Sequence, residues 1–396
     1  MLVRRRSALS WVASVGLSLF FLMSAMASAA AQSVADQALH QAARNDDPEL
    51  AAFALERGAD LEVRDQLGNT ALHVTAMFAS PQVAALLLER GADPGGATPD
   101  DAWTALHYAA YEGHDRVARV LIEAAAPLEA RETDYGNTPL LLAARRNKRA
   151  VVSVLLAAGA EIEARDRRDG NTPLINAAFD PLGTAVVAEL LAAGASPGGA
   201  AEDGTTALMA AARAGSEGSL QILLAAGAEA AAARGDGWTA LHLAAAHGHT
   251  ALFAVLEAAG AVIDQRAAEG ETALGQAIEA GHVDSVIALL EAGADADGPG
   301  RKGRPPVVLA AMSGQPGALY VLLNAGAAAD AREAESGNTA LMLAANRARL
   351  EEVRLLLGAG ADPTLKARDG WTALQAATMI GDDEIADLLR AAGARE

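Results

Sequence analysis

The chain has 396 residues, of which 52% are hydrophobic and only 4% aromatic, with no cysteine and a formal net charge of −19. The lack of cysteine excludes disulfides, thiolate zinc sites and thiol nucleophiles. An acidic chain of this kind is a poor match for nucleic acid, and its alanine-rich apolar content favours closely packed short helices over a thick aromatic core.

The first segment reads as an export signal over residues 1–31. Arg4, Arg5 and Arg6 form a basic start. An apolar run with Trp11, Val15, Leu17, Leu19, Phe20, Phe21 and Leu22 follows, and small residues then gather at Ala27, Ala29, Ala30 and Ala31. This matches the small-residue cleavage pattern of secretory signals. Cleavage is expected after Ala31, with Ala29 as second choice, leaving a periplasmic or secreted domain over residues 32–396. Losing three arginines would take its net charge from −19 to −22. The alternative is an uncleaved anchor, because the apolar run is near the length that spans a bilayer. Only in that case would the chain be membrane-attached.

From there on the chain repeats itself. DQLGNTALHVTA begins at Asp65, DDAWTALHYAA at Asp100, DYGNTPLLLAA at Asp134 and RDGNTPLINAA at Arg168. EDGTTALMAAA begins at Glu202, SGNTALMLAA at Ser336 and RDGWTALQAAT at Arg368. Aligned on one leucine position, the units fall at Leu39, Leu72, Leu106, Leu140, Leu174, Leu208, Leu241, Leu274, Val307, Leu341 and Leu374, with every step 33 or 34 residues. A second landmark, a glycine after a leucine pair, follows each of them from Gly58 to Gly393, with Ala125 in its place once. A fixed period of this size is the mark of a stacked repeat architecture.

One unit shows the physics. In Asp236–Gly260, Gly237 sits where the chain turns tightly, and Thr239 is placed to cap a helix. The next position is Ala240 here and Pro139 or Pro173 elsewhere, and proline suits the first helical position. Leu241, Ala244 and Ala245 form an apolar face that ends at Gly248. A second helix carries Leu252, Val255 and Leu256 and ends at Gly260. Helices of about two turns do not persist alone in water, so each must stack on its neighbours. The unit at RKGRPPVVLAAMSG has Pro305 where the capping threonine belongs, so its first helix starts without that cap. Gln37, Gln41, Arg44 and Asn45 at one end, and Asp382, Asp383, Glu384, Asp387 and Arg390 at the other, read as polar end caps.

The period and the T-P/A-L-H-x-A motif resemble the ankyrin repeat. About eleven such units cover nearly all of the chain after the first segment. The resemblance implies an all-α solenoid of helix-turn-helix units with short finger loops. It also implies binding of other proteins through finger tips and the concave face of the first helices.

His242, His247 and His249 lie within eight residues and have a metal-like spacing. His242 shares the T-A-L-H slot with His73 and His107, where the resemblance implies hydrogen bonds within and between fingers. His249 shares the Gly-His slot with His114 and His282. Only His247 stands outside the repeat, so no metal site is expected. No catalytic arrangement, cofactor motif or small-molecule site stands apart from the repeat either.

Surface residues therefore carry the function. The slots after the Ala-Ala pair hold Phe78, Tyr111, Arg145 with Arg146, and Phe179 in consecutive units, and Trp103 and Tyr135 lie in the same units. Trp, Tyr and Arg dominate interface hot spots. A protein partner is expected to dock on Phe78, Trp103, Tyr111, Tyr135, Arg145, Arg146 and Phe179; the bland alternative is that some of these pack between fingers. Trp103, Trp238 and Trp371 fall four repeats apart, which suits packing of each finger on the next. Two basic clusters, Arg145–Arg149 and Arg301–Arg304, read as solvated surface or as contacts for an anion or acidic partner. The expected function is a non-enzymatic module that supports or restrains another envelope protein. The alternatives are an inhibitor or immunity protein against a secreted toxin or protease, and a membrane-anchored scaffold.

Overall fold

A computed structural model describes residues 32–395; the export-signal expectation for residues 1–31 lies outside them. The described chain is all-α. Among the described residues there is no strand, only isolated bridges such as Ala97 with Thr104 and Ala233 with Thr239 at the finger bases. The chain divides between Arg168 and Asp169 into two compact units.

The first unit holds four helix pairs. Residues 32–45 (α1) pair with Pro48–Glu56 (α2), and Ala71–Met77 (α3) with Pro81–Glu89 (α4). Ala105–Glu112 (α5) pairs with Asp115–Glu123 (α6), and Pro139–Arg145 (α7) with Arg149–Ala157 (α8). The first helices α3, α5 and α7 lie side by side in one layer, and α4, α6 and α8 in a second.

The second unit repeats the plan seven times. Its first helices are Pro173–Ala178 (α9), Ala207–Ala214 (α11), Ala240–Ala246 (α13), Ala273–Ala280 (α15), Pro306–Ser313 (α17), Ala340–Asn346 (α19) and Ala373–Ile380 (α21). Their partners are Thr184–Ala192 (α10), Glu217–Ala225 (α12), Phe253–Ala258 (α14), Val283–Glu291 (α16), Pro316–Asn324 (α18), Leu350–Gly358 (α20) and Asp383–Ala391 (α22). The α14 helix is entered through a 3₁₀ turn at Thr250–Leu252.

The apolar residues expected to face the core do so. Leu39, Leu106, Leu140, Leu174 and Leu208 are among the largest fully buried side chains, and the alanine pairs beside them are buried as well. Small residues at the contact let neighbouring helices approach closely, and each buried leucine contributes roughly 1.5–3 kcal/mol. Thr104, Thr138, Thr172, Thr206 and Thr339 cap their helices, each accepting a backbone N–H three residues on. Pro305 makes no such bond ahead of α17, as its ring dictates.

Glycine is required where fingers touch. At Gly237 φ is +85°, and a Cβ there would sit 2.8 Å from the backbone of Ala267 in the next finger. Ala125 shows the opposite case. It holds φ at +63° in the helix-ending slot where Gly58, Gly91 and Gly159 stand elsewhere. A left-handed alanine is strained by roughly 1–2 kcal/mol, and glycine returns part of that gain through its looser unfolded chain. Ala125→Gly is therefore expected to stabilise the first unit by about 0.5–1 kcal/mol, read as a higher urea midpoint at unchanged slope.

The polar end cap expected at the C-terminal end is present along α22, where Asp383, Glu384, Asp387 and Arg390 are exposed. It does not extend to the finger and first helix of that unit, which leave Trp371, Met379 and Ile380 exposed.

Candidate protein-binding surface

The surface is built on the fingers of the first unit. Thr98 and Trp103 close one finger: Trp103 N–H donates to Thr98 Oγ1 at 2.8 Å, and Thr98 N–H donates to Trp103 O at 2.9 Å. Thr104 then caps α5, and the helical spacing brings Tyr108 and Tyr111 under the indole. The Trp103 ring centroid lies 4.9 Å from Tyr108 and 5.6 Å, edge-on, from Tyr111. Burial, with the charges of Asp101 and Asp65 nearby, pushes the Tyr108 hydroxyl up to about 12, so it stays protonated.

The indole was expected to pack against the next finger. Its ring contacts lie on its own helix, to His107, Tyr108 and Tyr111. Trp238 behaves alike, against His242 and under Arg234. The contact to the neighbouring finger is made by histidine: His73 Nε2 meets Trp103 O at 3.1 Å, His107 Nε2 meets Asn137 O at 3.1 Å, and His242 Nε2 meets Glu271 O at 3.2 Å. In each, the backbone N–H of the capping threonine donates to Nδ1. The ring is thereby fixed as the Nε2–H tautomer, and this nitrogen donates to the carbonyl.

Guanidinium groups cover the aromatic rings. Arg146, at the end of α7, stands 4.4 Å over Tyr111 of the preceding repeat. Arg145 and Arg168 flank Tyr135 at 5.9 and 5.2 Å. Tyr135 is held in its finger by Glu132, which accepts its N–H at 2.9 Å. Phe78 is 53% exposed, with Arg44 at 5.8 Å over its ring. Such contacts are each worth roughly 0.5–1 kcal/mol at exposed sites, and they fix the arginines in place.

The structure thus joins Trp103, Tyr111 and Arg146 in one cluster and continues it along the chain to Arg145 and Tyr135. Phe78 forms a separate pair with Arg44. Phe179 belongs to the second unit, at the end of α9, where Arg213 lies 5.9 Å over its ring. Arg44 read in the sequence as an end-cap residue; its place over Phe78 depends on how α1 stacks on α3, and no motif announces it.

The remaining candidates resolve differently. His242, His247 and His249 direct ring nitrogens at three different carbonyls, of Glu271, Leu243 and Arg213. His247 and His249 stack with ring centroids 6.1 Å apart. Among the described residues no group of three or more His, Asp or Glu is placed to hold a metal ion. In the second basic cluster, Arg301 pairs with Glu269 and Arg304 with Glu333. No described helix is long and apolar enough to cross a membrane.

Stacked helix pairs with exposed finger residues define a helical-repeat binding scaffold. The family model "Ankyrin repeats (3 copies)" matches residues 9–98, 39–134, 93–166, 219–300, 252–333 and 307–395, and the model "Ankyrin repeat" matches 203–234. The chain belongs to the ankyrin-repeat family, whose repeats are protein–protein interaction modules. A 58-residue segment is 45% identical to protein phosphatase 1 regulatory subunit 12A of Mus musculus and of Rattus norvegicus, which is 15% of this chain. The match spans only 6% of the length of these relatives.

Proposed function

We propose that the chain is exported to the periplasm and acts there as a non-enzymatic binding module, supporting or restraining another envelope protein through the first-helix layer and fingers of its first unit. The observation that carries this reading is the Trp103–Tyr111–Arg146 cluster, an aromatic and arginine patch on a stacked, rigid frame. Rigid display keeps the ordering cost of binding low, and a standard interface of roughly 800 Å² per side fits a few adjacent repeats. The basic start and small-residue end of residues 1–31 support export. The printed role of the two relatives, regulatory subunits, supports a regulatory kind of task.

The test uses the full chain expressed with its first segment and recovered from the periplasmic fraction, where the mature protein is expected to begin near Gln32. Tyr111→Ala with Arg146→Ala is expected to weaken capture of the partner at least about tenfold, the scale of one interface hot spot, while far-UV circular dichroism stays unchanged. Unchanged capture would remove this face from consideration.

A further inference from the structure

We propose that the segment received by this face is acidic: Asp or Glu carboxylates of the partner bind the guanidinium forks of Arg145 and Arg146, while an apolar side chain of the same segment lies on Trp103 and Tyr111. This rests on the reading of the first unit as the binding face. It concerns the chemistry of what binds there.

The chain has 50 Asp and Glu against 31 Lys and Arg, so carboxylates outnumber the cations. Some arginines use them, as Arg301 meets Glu269, Arg304 meets Glu333, and Arg354 meets Glu384; others, such as Arg44 and Arg213, stand over a ring instead. Arg145 and Arg146 form no ion pair among the described residues. Each has an aromatic ring in place of a carboxylate. Glu112, next to Tyr111 in the chain, is exposed and forms no ion pair with them.

A guanidinium seated on a ring uses only its flat face. Its five N–H donors lie in the plane and remain open at the edge, with the fork geometry that matches a carboxylate bidentately. The ring also holds the side chain in one place, so less freedom is lost when a carboxylate arrives. Such charge-assisted pairs are about twice as strong as neutral hydrogen bonds. The net charge of −19 then adds selectivity: it repels an acidic segment from the acidic parts of the surface and favours a basic patch such as this one.

The test offers the full chain short synthetic peptides of equal leucine content, carrying Glu, Gln or Lys at the polar positions. Fluorescence anisotropy is expected to show the Glu peptide binding at least about tenfold more tightly than the Gln peptide, with the difference shrinking at high salt. Arg145→Glu with Arg146→Glu should abolish that preference. Arg145→Lys with Arg146→Lys should lower it severalfold, because the charge stays while the fork is lost. Equal binding of the three peptides, or a Glu preference that survives the double charge reversal, would overturn the proposal. A photo-crosslinker in place of Glu112, used in cells, separates the two levels. A partner segment rich in Asp and Glu supports the proposal. A neutral or basic segment overturns it while leaving the binding face intact, and crosslinks confined to other surfaces overturn both.

Discussion

Between about pH 6.5 and pH 4 the first unit is expected to lose roughly 3 kcal/mol of stability through His107 alone. Burial pushes this imidazole down to about 4, against which the Asn137 and Ala130 carbonyls pull only partly upward. Its two nitrogens leave no place for a second proton, because Nδ1 already accepts the Thr104 N–H and Nε2–H already serves Asn137. In the unfolded chain a histidine takes its proton near pH 6.5. Within this window the unfolded state therefore binds more protons, so stability falls as pH falls and levels off below the folded value. His73 in the same unit, and His242 in the second, are lowered by burial in the same way and act in the same direction.

The repeat supplies its own control. In the last unit Gln375 occupies the histidine slot, and its Oε1 accepts the Thr372 N–H at 3.0 Å, as Nδ1 does elsewhere. His107→Gln should keep the cap, cost about 1 kcal/mol near neutrality for the lost bond to the next finger, and flatten the pH dependence. Urea unfolding followed by Trp103 fluorescence, in a background carrying Trp238→Phe and Trp371→Phe, measures this directly, since the indole lies 5.9 Å from His107. A wild-type midpoint that stays level from neutral pH to pH 4 would contradict the tautomer assignment.

Glu132→Ala is expected to cost about 3 kcal/mol or more, since it strips a buried acceptor from several donors at once. Glu132 is only 2% exposed. Its carboxylate accepts the backbone N–H groups of Asp134 at 2.6 Å, Tyr135 at 2.9 Å and Asn137 at 2.9 Å, and the Asn137 side-chain amide at 2.9 Å. Alanine would leave all of these facing a void. Glu132→Gln keeps one acceptor oxygen and should recover part of the loss. Hydrogen exchange at residues 134–137 is the sensitive measurement, because the finger opens before the helices do. The functional consequence follows from geometry. Tyr135 would no longer be fixed, Arg145 would lose its ring, and binding should weaken although no contact residue has been changed.

Glu132 also shows where reading the sequence stops. The same slot holds Asp65, which accepts from Leu67 and Asn69, and Glu333, which pairs with Arg304 and Ser336. An acidic residue before a turn looks like a solvated finger tip, and in the sequence these were indistinguishable from the many carboxylates that are. Only the folding of the finger around the carboxylate separates Glu132 from exposed Glu112. The position of Trp103 before the capping threonine places it in the right loop, but the contact of its ring with Tyr108 and Tyr111 depends on the finger's own closure by Thr98.

The amino-acid sequence by itself determined the period, the two-helix unit, the capping threonines and the turn glycines. These depend on interactions a few residues apart, repeated identically, so local chemistry and spacing suffice. The tertiary structure alone decided that Arg146 lies over Tyr111, that Arg44 lies over Phe78, and that Arg213 lies over Phe179. Those pairs join residues about one repeat apart through freely rotating side chains. Their meeting is set by how one helix pair rests on the next, a distance and angle that no short stretch of sequence encodes.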